Sequence, residues 1–315
     1  MIKVKITGEI ADWPLLRQTP GGNGIWGECQ FFVNDTYSEC DYWVVYDGIN
    51  TAETVQCPPE NVILFTAEPP SIRAYHPRFT AQFAKVVTCQ PAIKHPHVIH
   101  DQQALPWHLM TKSYDDLAFG PPPEKTGILS VICSDKAFTE GHRRRLEFVQ
   151  RLKESLGDGL DYYGQGERIP KWDGTAGYKY TIAIENSCYR DYWTEKIADA
   201  FLVDAYPFYY GCPNIEDYFP ARSFTWIDID DFDAALATIV NTIKKNEYEA
   251  TLEDRASAKD LILNKYNLFP TIAAMTSVSG SQWPKQAVTL RPDSILSNTI
   301  GKRARRLIKK MIRLQ

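Results

Sequence analysis

The segment Tyr178–Lys196 reads Tyr-Lys-Tyr-Thr-Ile-Ala-Ile-Glu-Asn-Ser-Cys-Tyr-Arg-Asp-Tyr-Trp-Thr-Glu-Lys. It dictates a strand, a polar turn and a helix, in that order. Tyr180, Ile182 and Ile184 recur at every second residue, the period of a strand that buries one face. Glu185-Asn186-Ser187 breaks the alternation, and Ile197, Ala200, Phe201 and Val203 resume apolar spacing at the helical period. Asp191 or Thr194 can cap that helix, leaving first-turn N–H groups aimed above the strand end. In an open α/β sheet this is where nucleotides bind. Glu195 and Lys196 then offer a carboxylate for sugar hydroxyls and an ammonium for a phosphate. Lysine in a first helical turn opposes the helix dipole, and that mismatch favours a bound anion.

The rest of the chain supports an α/β reading. Strands are expected at Ile2–Thr7, Tyr42–Tyr46, Val62–Thr66, Val86–Thr88 and Val98–His100. A second alternating unit follows, with strands at Ile128–Cys133, Asp161–Tyr163, Lys179–Ile184, Pro207–Tyr210 and Phe224–Asp228. Helices are expected at Glu140–Leu156, Thr194–Ala205 and Phe232–Lys244. Repeated β-then-α alternation implies parallel sheets with right-handed crossovers. Gly120-Pro121-Pro122-Pro123 suggests a boundary, because consecutive prolines forbid both helix and central strand. The expected domains are therefore 1–120, 121–275 and an extension over 276–315. Two Rossmann-like domains facing across a cleft are the expected architecture.

With 315 residues, 44% of them hydrophobic and 23% charged, there is ample material for a core. No run of about eighteen apolar residues exists, so no transmembrane helix is expected. Met-Ile-Lys-Val-Lys-Ile-Thr at the start alternates like a strand and lacks the apolar centre of a signal peptide. Seven cysteines without regular spacing argue for a reducing compartment rather than a disulfide framework, and the cytoplasm is expected.

Several ordered motifs resemble those of glycosyltransferase family 10, the α-1,3-fucosyltransferases. They are Tyr178-Lys179-Tyr180, Ile184-Glu185-Asn186-Ser187 and Tyr192-Trp193-Thr194-Glu195-Lys196. Tyr206-Pro-Phe-Tyr-Tyr-Gly211 follows, then Ser223-Phe224 and Asp230/Asp231-Phe232. Trp193 stands where the family has valine, and Ile184 where it has phenylalanine. The resemblance implies a fold of GT-B type and transfer of L-fucose from GDP-β-L-fucose, with inversion, to a glycan hydroxyl. O3 of N-acetylglucosamine in an oligosaccharide or glycolipid is the implied acceptor position. The alternatives are another nucleotide sugar on the same fold, or a glycan- or nucleotide-sugar-binding protein without turnover.

The same resemblance distributes roles. Glu68, after Val62-Ile-Leu-Phe-Thr-Ala, matches the general base, against the bland reading of a solvated glutamate before Pro69-Pro70. Arg145, with Phe148 and Leu152 at family spacing, is matched to the pyrophosphate, with Arg143 as reserve; a planar fork that stays charged suits phosphate oxygens. Lys196 would neutralise the diphosphate, Glu195 would accept from ribose hydroxyls, and Asn186 and Tyr192 would line the donor pocket. No metal or other cofactor is expected. Asp228-Ile229-Asp230 looks like a metal-binding pair but ends a strand, so it reads as structural. His95, His97 and His100 read as surface residues, and Pro20-Gly21-Gly22-Asn23-Gly24 lacks the Lys-Ser/Thr of a phosphate loop. Trp26 beside that loop is suited either to stacking on a sugar or to core packing.

Residues 301–315 hold seven Lys or Arg and no acid, which leaves a body with 28 basic and 39 acidic residues, net −11. Ala304, Leu307, Ile308, Met311, Ile312 and Leu314 fill one helical arc and the cations the other. That segregation suits a helix lying on an anionic membrane, placing the protein peripherally on the inner face. A partner helix, a nucleic-acid arm or a solvated helix end are the competing readings. A nucleic-acid role is disfavoured because the cations cluster only at the end.

Overall fold

The strand expected from Tyr180, Ile182 and Ile184 runs over Tyr178–Ile184 at the centre of a five-stranded parallel sheet. This computed structural model describes residues 1–9, 13–135, 137–164, 166 and 169–296. They divide into two compact units, the described residues of Met1–Trp13, Glu28–His100 and Thr276–Gln315, and those of Pro14–Gly27 and Asp101–Met275. The units are interleaved along the chain, whereas the expected spans 1–120, 121–275 and 276–315 are contiguous.

The larger unit orders its strands Asp161–Tyr163, Gly127–Ile132, Tyr178–Ile184, Tyr206–Tyr210 and Thr225–Trp226. Every neighbouring pair is parallel. By order of appearance this is 2-1-3-4-5, so the winding reverses between the first and third strands. The two-residue period decides which side chains reach which face. Ile182, Ile184, Tyr206 and Phe208 pack with Phe148, Val149, Leu152 and Ile239 on one face. Ala183 and Tyr209 point the other way, into a cluster with Trp193, Ile197, Phe201 and Ile262. Helices Glu140–Leu156 and Phe232–Lys244 contribute to the first layer, and Glu195–Leu202 and Leu252–Leu261 to the second. Trp26 meets Tyr114 edge-on at 5.6 Å between ring centroids and packs against this second core.

The smaller unit repeats the scheme. Its strands lie in the order Cys29–Val33, Ile2–Gly8, Tyr42–Tyr46, Val62–Phe65, Lys85–Thr88 and Val98–His100, all parallel. Trp43, Val45, Val62, Leu64 and Val86 form its core with Phe79 and Phe83. Glu53–Cys57 and Gln286–Leu290 add an antiparallel pair. Both the strand Cys29–Val33 and this pair escaped the sequence reading, because neither is a long apolar run. The expected strand Phe224–Asp228 shortens to Thr225–Trp226, since Asp228 turns to accept a hydrogen bond from the Asp230 amide. Helices Glu140–Leu156 and Phe232–Lys244 keep the expected bounds. All seven cysteines are free, and all but Cys188 are buried. No helix among the described residues is long and apolar enough to cross a membrane. The basic segment 301–315 lies outside the described residues.

Candidate active site

At the carboxyl end of the central strand the chain places Glu185, 1% exposed. A carboxyl group so deeply buried needs hydrogen-bond donors. It has three. Thr194 donates its amide at 2.7 Å and its hydroxyl at 2.8 and 2.7 Å to the two oxygens, and Lys196 donates Nζ at 3.1 Å. Thr194, rather than Asp191, caps the helix Glu195–Leu202, its side chain accepting from the Lys196 amide. Asp191 instead adopts a left-handed conformation and bonds Asn214 and Tyr218. Glu185 therefore anchors both the cap and the cation of the next helix. The helix-dipole mismatch at Lys196 is answered within the protein by Glu185, and does not by itself call for a bound anion.

Two glycines make this approach possible. A Cβ on Gly141 would stand 1.9 Å from the Asn186 carbonyl oxygen, and one on Gly211 would stand 2.4 Å from Cγ of Glu185. The first turn of helix Glu140–Leu156 thus abuts the turn after the third strand, at the point where the winding reverses. Open α/β sheets bind ligands there.

Arg145 lies on that helix, 8% exposed, and its Nε has no hydrogen-bond partner among the described residues. Its positive charge acts on the Lys196 ammonium, so the two cations are close. Its neighbours differ. Arg143 is exposed and, among the described residues, its side chain reaches the Ala137 carbonyl. Arg144 pairs with Asp230 and donates to the Tyr210 hydroxyl at 3.3 Å. Asn186 Oδ1 accepts from the Tyr192 hydroxyl at 2.9 Å, and Tyr192 is buried. Asn186, Tyr192, Glu195 and Lys196 are thus brought together around one turn, with Arg145 beside them.

Glu195 is the centre of a charge cluster. Its Oε1 stands 3.1 Å from Lys171 Nζ, 3.4 Å from Lys196 Nζ and 3.7 Å from His108 Nδ1. Lys171 also meets Asp199 Oδ2 at 3.0 Å, and Asp199 Oδ1 accepts from the His108 amide at 2.8 Å. Burial opposes the charge on Glu195, but the Lys171 and Lys196 ammoniums overcome it and hold the carboxyl well below its usual range. Burial also works against both lysines, and the facing carboxylates keep them protonated beyond the usual lysine range. Burial pushes His108 down to about 3, so its imidazole is neutral. Lys171, Asp199 and His108 were not singled out in the sequence, and Glu185 entered only within a motif, with no role of its own. Asp199 left a signal, as an acid inside the apolar run Ile197-Ala-Asp-Ala-Phe-Leu202. Lys171 and His108 left none.

In the smaller unit, Glu68 lies three residues past strand Val62–Phe65, half-buried. The Gln90 side-chain amide fixes this loop, donating to the Glu68 carbonyl at 2.8 Å and the Arg73 carbonyl at 2.9 Å. Asp47, at the end of the strand Tyr42–Tyr46, takes the Ala67 amide at 3.1 Å, Arg73 at 2.5 Å and the Tyr75 hydroxyl. His95 bonds the Phe83 carbonyl at 3.1 Å and His97 and His100 are exposed. No cluster of three potential metal ligands occurs among the described residues.

Arg145, Lys171, Glu185, Asn186, Tyr192, Glu195, Lys196 and Asp199 lie within residues 122–252, which match the model for the C-terminal part of glycosyltransferase family 10 (fucosyltransferase), and His108 and Glu68 lie outside them. That match agrees with the resemblance carried by the motifs in the same stretch. The GDP-fucose protein O-fucosyltransferase 3 of Gallus gallus is 24% identical over 276 residues, covering 76% of this chain and 56% of the relative. The 4-galactosyl-N-acetylglucosaminide 3-alpha-L-fucosyltransferase 9 of Mus musculus is 28% identical over 151 residues, 45% of this chain and 40% of its own. The chain spans about half the length of the curated relatives it matches. A crystal structure of an alpha1,3-fucosyltransferase superposes with a TM-score of 0.50 at 15% identity, covering 85% of this chain and 91% of that one. That likeness concerns the fold.

Proposed function

We propose that this protein is an inverting fucosyltransferase using GDP-β-L-fucose. The observation that carries the reading is the convergence of Lys196, Glu195, Asn186, Tyr192 and Arg145 at the switch point of a sheet inside the matched domain. An acceptor oxygen attacks C1 of fucose from the face opposite GDP. The C1–O bond to the diphosphate breaks, its electrons pass to the leaving oxygen, and the acceptor proton passes to Glu68. Arg145 and Lys196 stabilise the charge growing on the diphosphate, and Glu195 accepts from the ribose hydroxyls. These cations supply the charge stabilisation that a divalent metal gives in other transferases, so activity is expected to persist in EDTA.

The acceptor is proposed to be a glycan hydroxyl, with O3 of N-acetylglucosamine in an oligosaccharide or glycolipid as the favoured position. A polypeptide hydroxyl is the second reading, favoured by the protein O-fucosyltransferase that aligns over 76% of the chain. Residues 301–315 are proposed to dock on an anionic membrane from the cytoplasmic side. Pelleting with anionic liposomes should require that segment.

Release of GDP from GDP-fucose, measured against other nucleotide sugars over glycan and peptide panels, tests the assignment. Strong preference for GDP-fucose is expected, and Glu68→Gln should abolish transfer while sparing GDP binding. Equal use of another nucleotide sugar would favour a different transferase. Donor binding with no transfer to any acceptor would favour a non-catalytic binding protein.

A further inference from the structure

The two oxygens of Glu195 are unequally used. Lys171, Lys196 and His108 all approach Oε1, and Oε2 has no partner among the described residues. An isolated Glu–Lys pair one residue apart would let the carboxylate close on its neighbour, spending both charges on each other. Here Lys171 draws the carboxylate the other way. Its ammonium lies 3.1 Å from Glu195 Oε1 against 3.4 Å for Lys196, and Asp199, side chain 4% exposed, holds it at 3.0 Å from the far side. A half-buried ion pair of this kind carries a desolvation cost.

We propose that Lys171 is a positioning residue for the donor nucleotide. Its ammonium takes Oε1 of Glu195 and so presents Oε2 to the ribose hydroxyls. His108, neutral because of its burial, cannot replace that cation. This inference rests on the donor-binding reading above, and the experiment separates the two.

Affinities for GDP and for 2′,3′-dideoxy-GDP are measured by calorimetry on the full chain. Hydrogen bonds from ribose to a carboxylate make GDP the tighter ligand, by about tenfold or more. Lys171→Met is expected to shrink that ratio to under about threefold, and Lys171→Arg to restore it, while circular dichroism shows both variants folded. Should Lys171→Met fail to fold, Lys171→Gln, which can still donate to Asp199, carries the same expectation. Glu195→Ala is the control on the reading itself, because it removes the ribose acceptor. If Glu195→Ala keeps the wild-type ratio, Glu195 does not read the ribose and the donor-site assignment fails. If Glu195→Ala collapses the ratio but a folded Lys171→Met or Lys171→Gln retains it, the role given to Lys171 is overturned. A loss that Lys171→Arg does not restore, with the fold intact, also counts against it.

Discussion

Lys196 and Glu185, eleven residues apart in sequence, meet at 3.1 Å between Nζ and Oε2 at the end of the central strand. The glutamate side chain is 0% exposed and the lysine 23%. Removing the acid leaves the ammonium and the Thr194 hydroxyl without their shared acceptor. Glu185→Ala is expected to cost about 3 kcal/mol, the scale for breaking a buried pair on one side. Urea unfolding checks this, and a change below about 1 kcal/mol would show that the pair is replaceable.

Gly141 tests how close the first helix must come to the third strand. In most helices Gly→Ala stabilises by about 1 kcal/mol. Here the added methyl would stand 1.9 Å from the Asn186 carbonyl oxygen, so the sign should reverse. Gly141→Ala is expected to destabilise by about 1–3 kcal/mol, as overpacking does. GDP affinity should fall as well, since Asn186 is displaced.

The three successive arginines should separate cleanly. Arg145 is buried and its Nε has no partner among the described residues, whereas Arg143 is exposed. Arg145→Ala is expected to weaken GDP binding by about tenfold or more, the value of one charge-assisted hydrogen bond lost. Arg143→Ala should stay within about twofold. Equal effects in calorimetry would remove the distinction.

Lys125 gives a pH dependence far from the proposed chemistry. Its Nζ donates to the carbonyls of Val203 at 2.5 Å and Ala176 at 2.8 Å, and burial pushes it down to about 7. The folded-state value lies below the unfolded one. From about pH 7 upward to the usual lysine range, the unfolded chain therefore holds more protons and stability rises with pH. Below about 7 the full penalty of the buried ammonium is present. Lys125→Met should flatten the stability profile between pH 7 and 9 relative to wild type, by at most about 1.4 kcal/mol per pH unit. Superimposable profiles would show that Lys125 titrates normally.

Much of the larger unit could be read along the chain because local period and local chemistry decide it. Alternation at Tyr180, Ile182 and Ile184 places a strand, the seventeen residues from Glu140 alternate as a helix, and the turn after Ile184 places Asn186 and Lys196. Strand Cys29–Val33 and the pair Glu53–Cys57 with Gln286–Leu290 were not visible. Their partners are remote, and an edge or antiparallel strand of mixed polarity carries little signal by itself.

The sequence alone determined that two α/β units would form, that a polar turn would interrupt the central strand, and that a carboxylate and an ammonium would open the next helix. Periodicity and capping chemistry act over a few residues, so they are written in the order of residues. Only the tertiary structure decided which charges meet. Glu185 under Lys196, Lys171 across Glu195, and one buried arginine among three arise from packing between elements distant in the chain. Burial then sets which of those groups stay charged, because only a group with partners close at hand can keep its charge away from water.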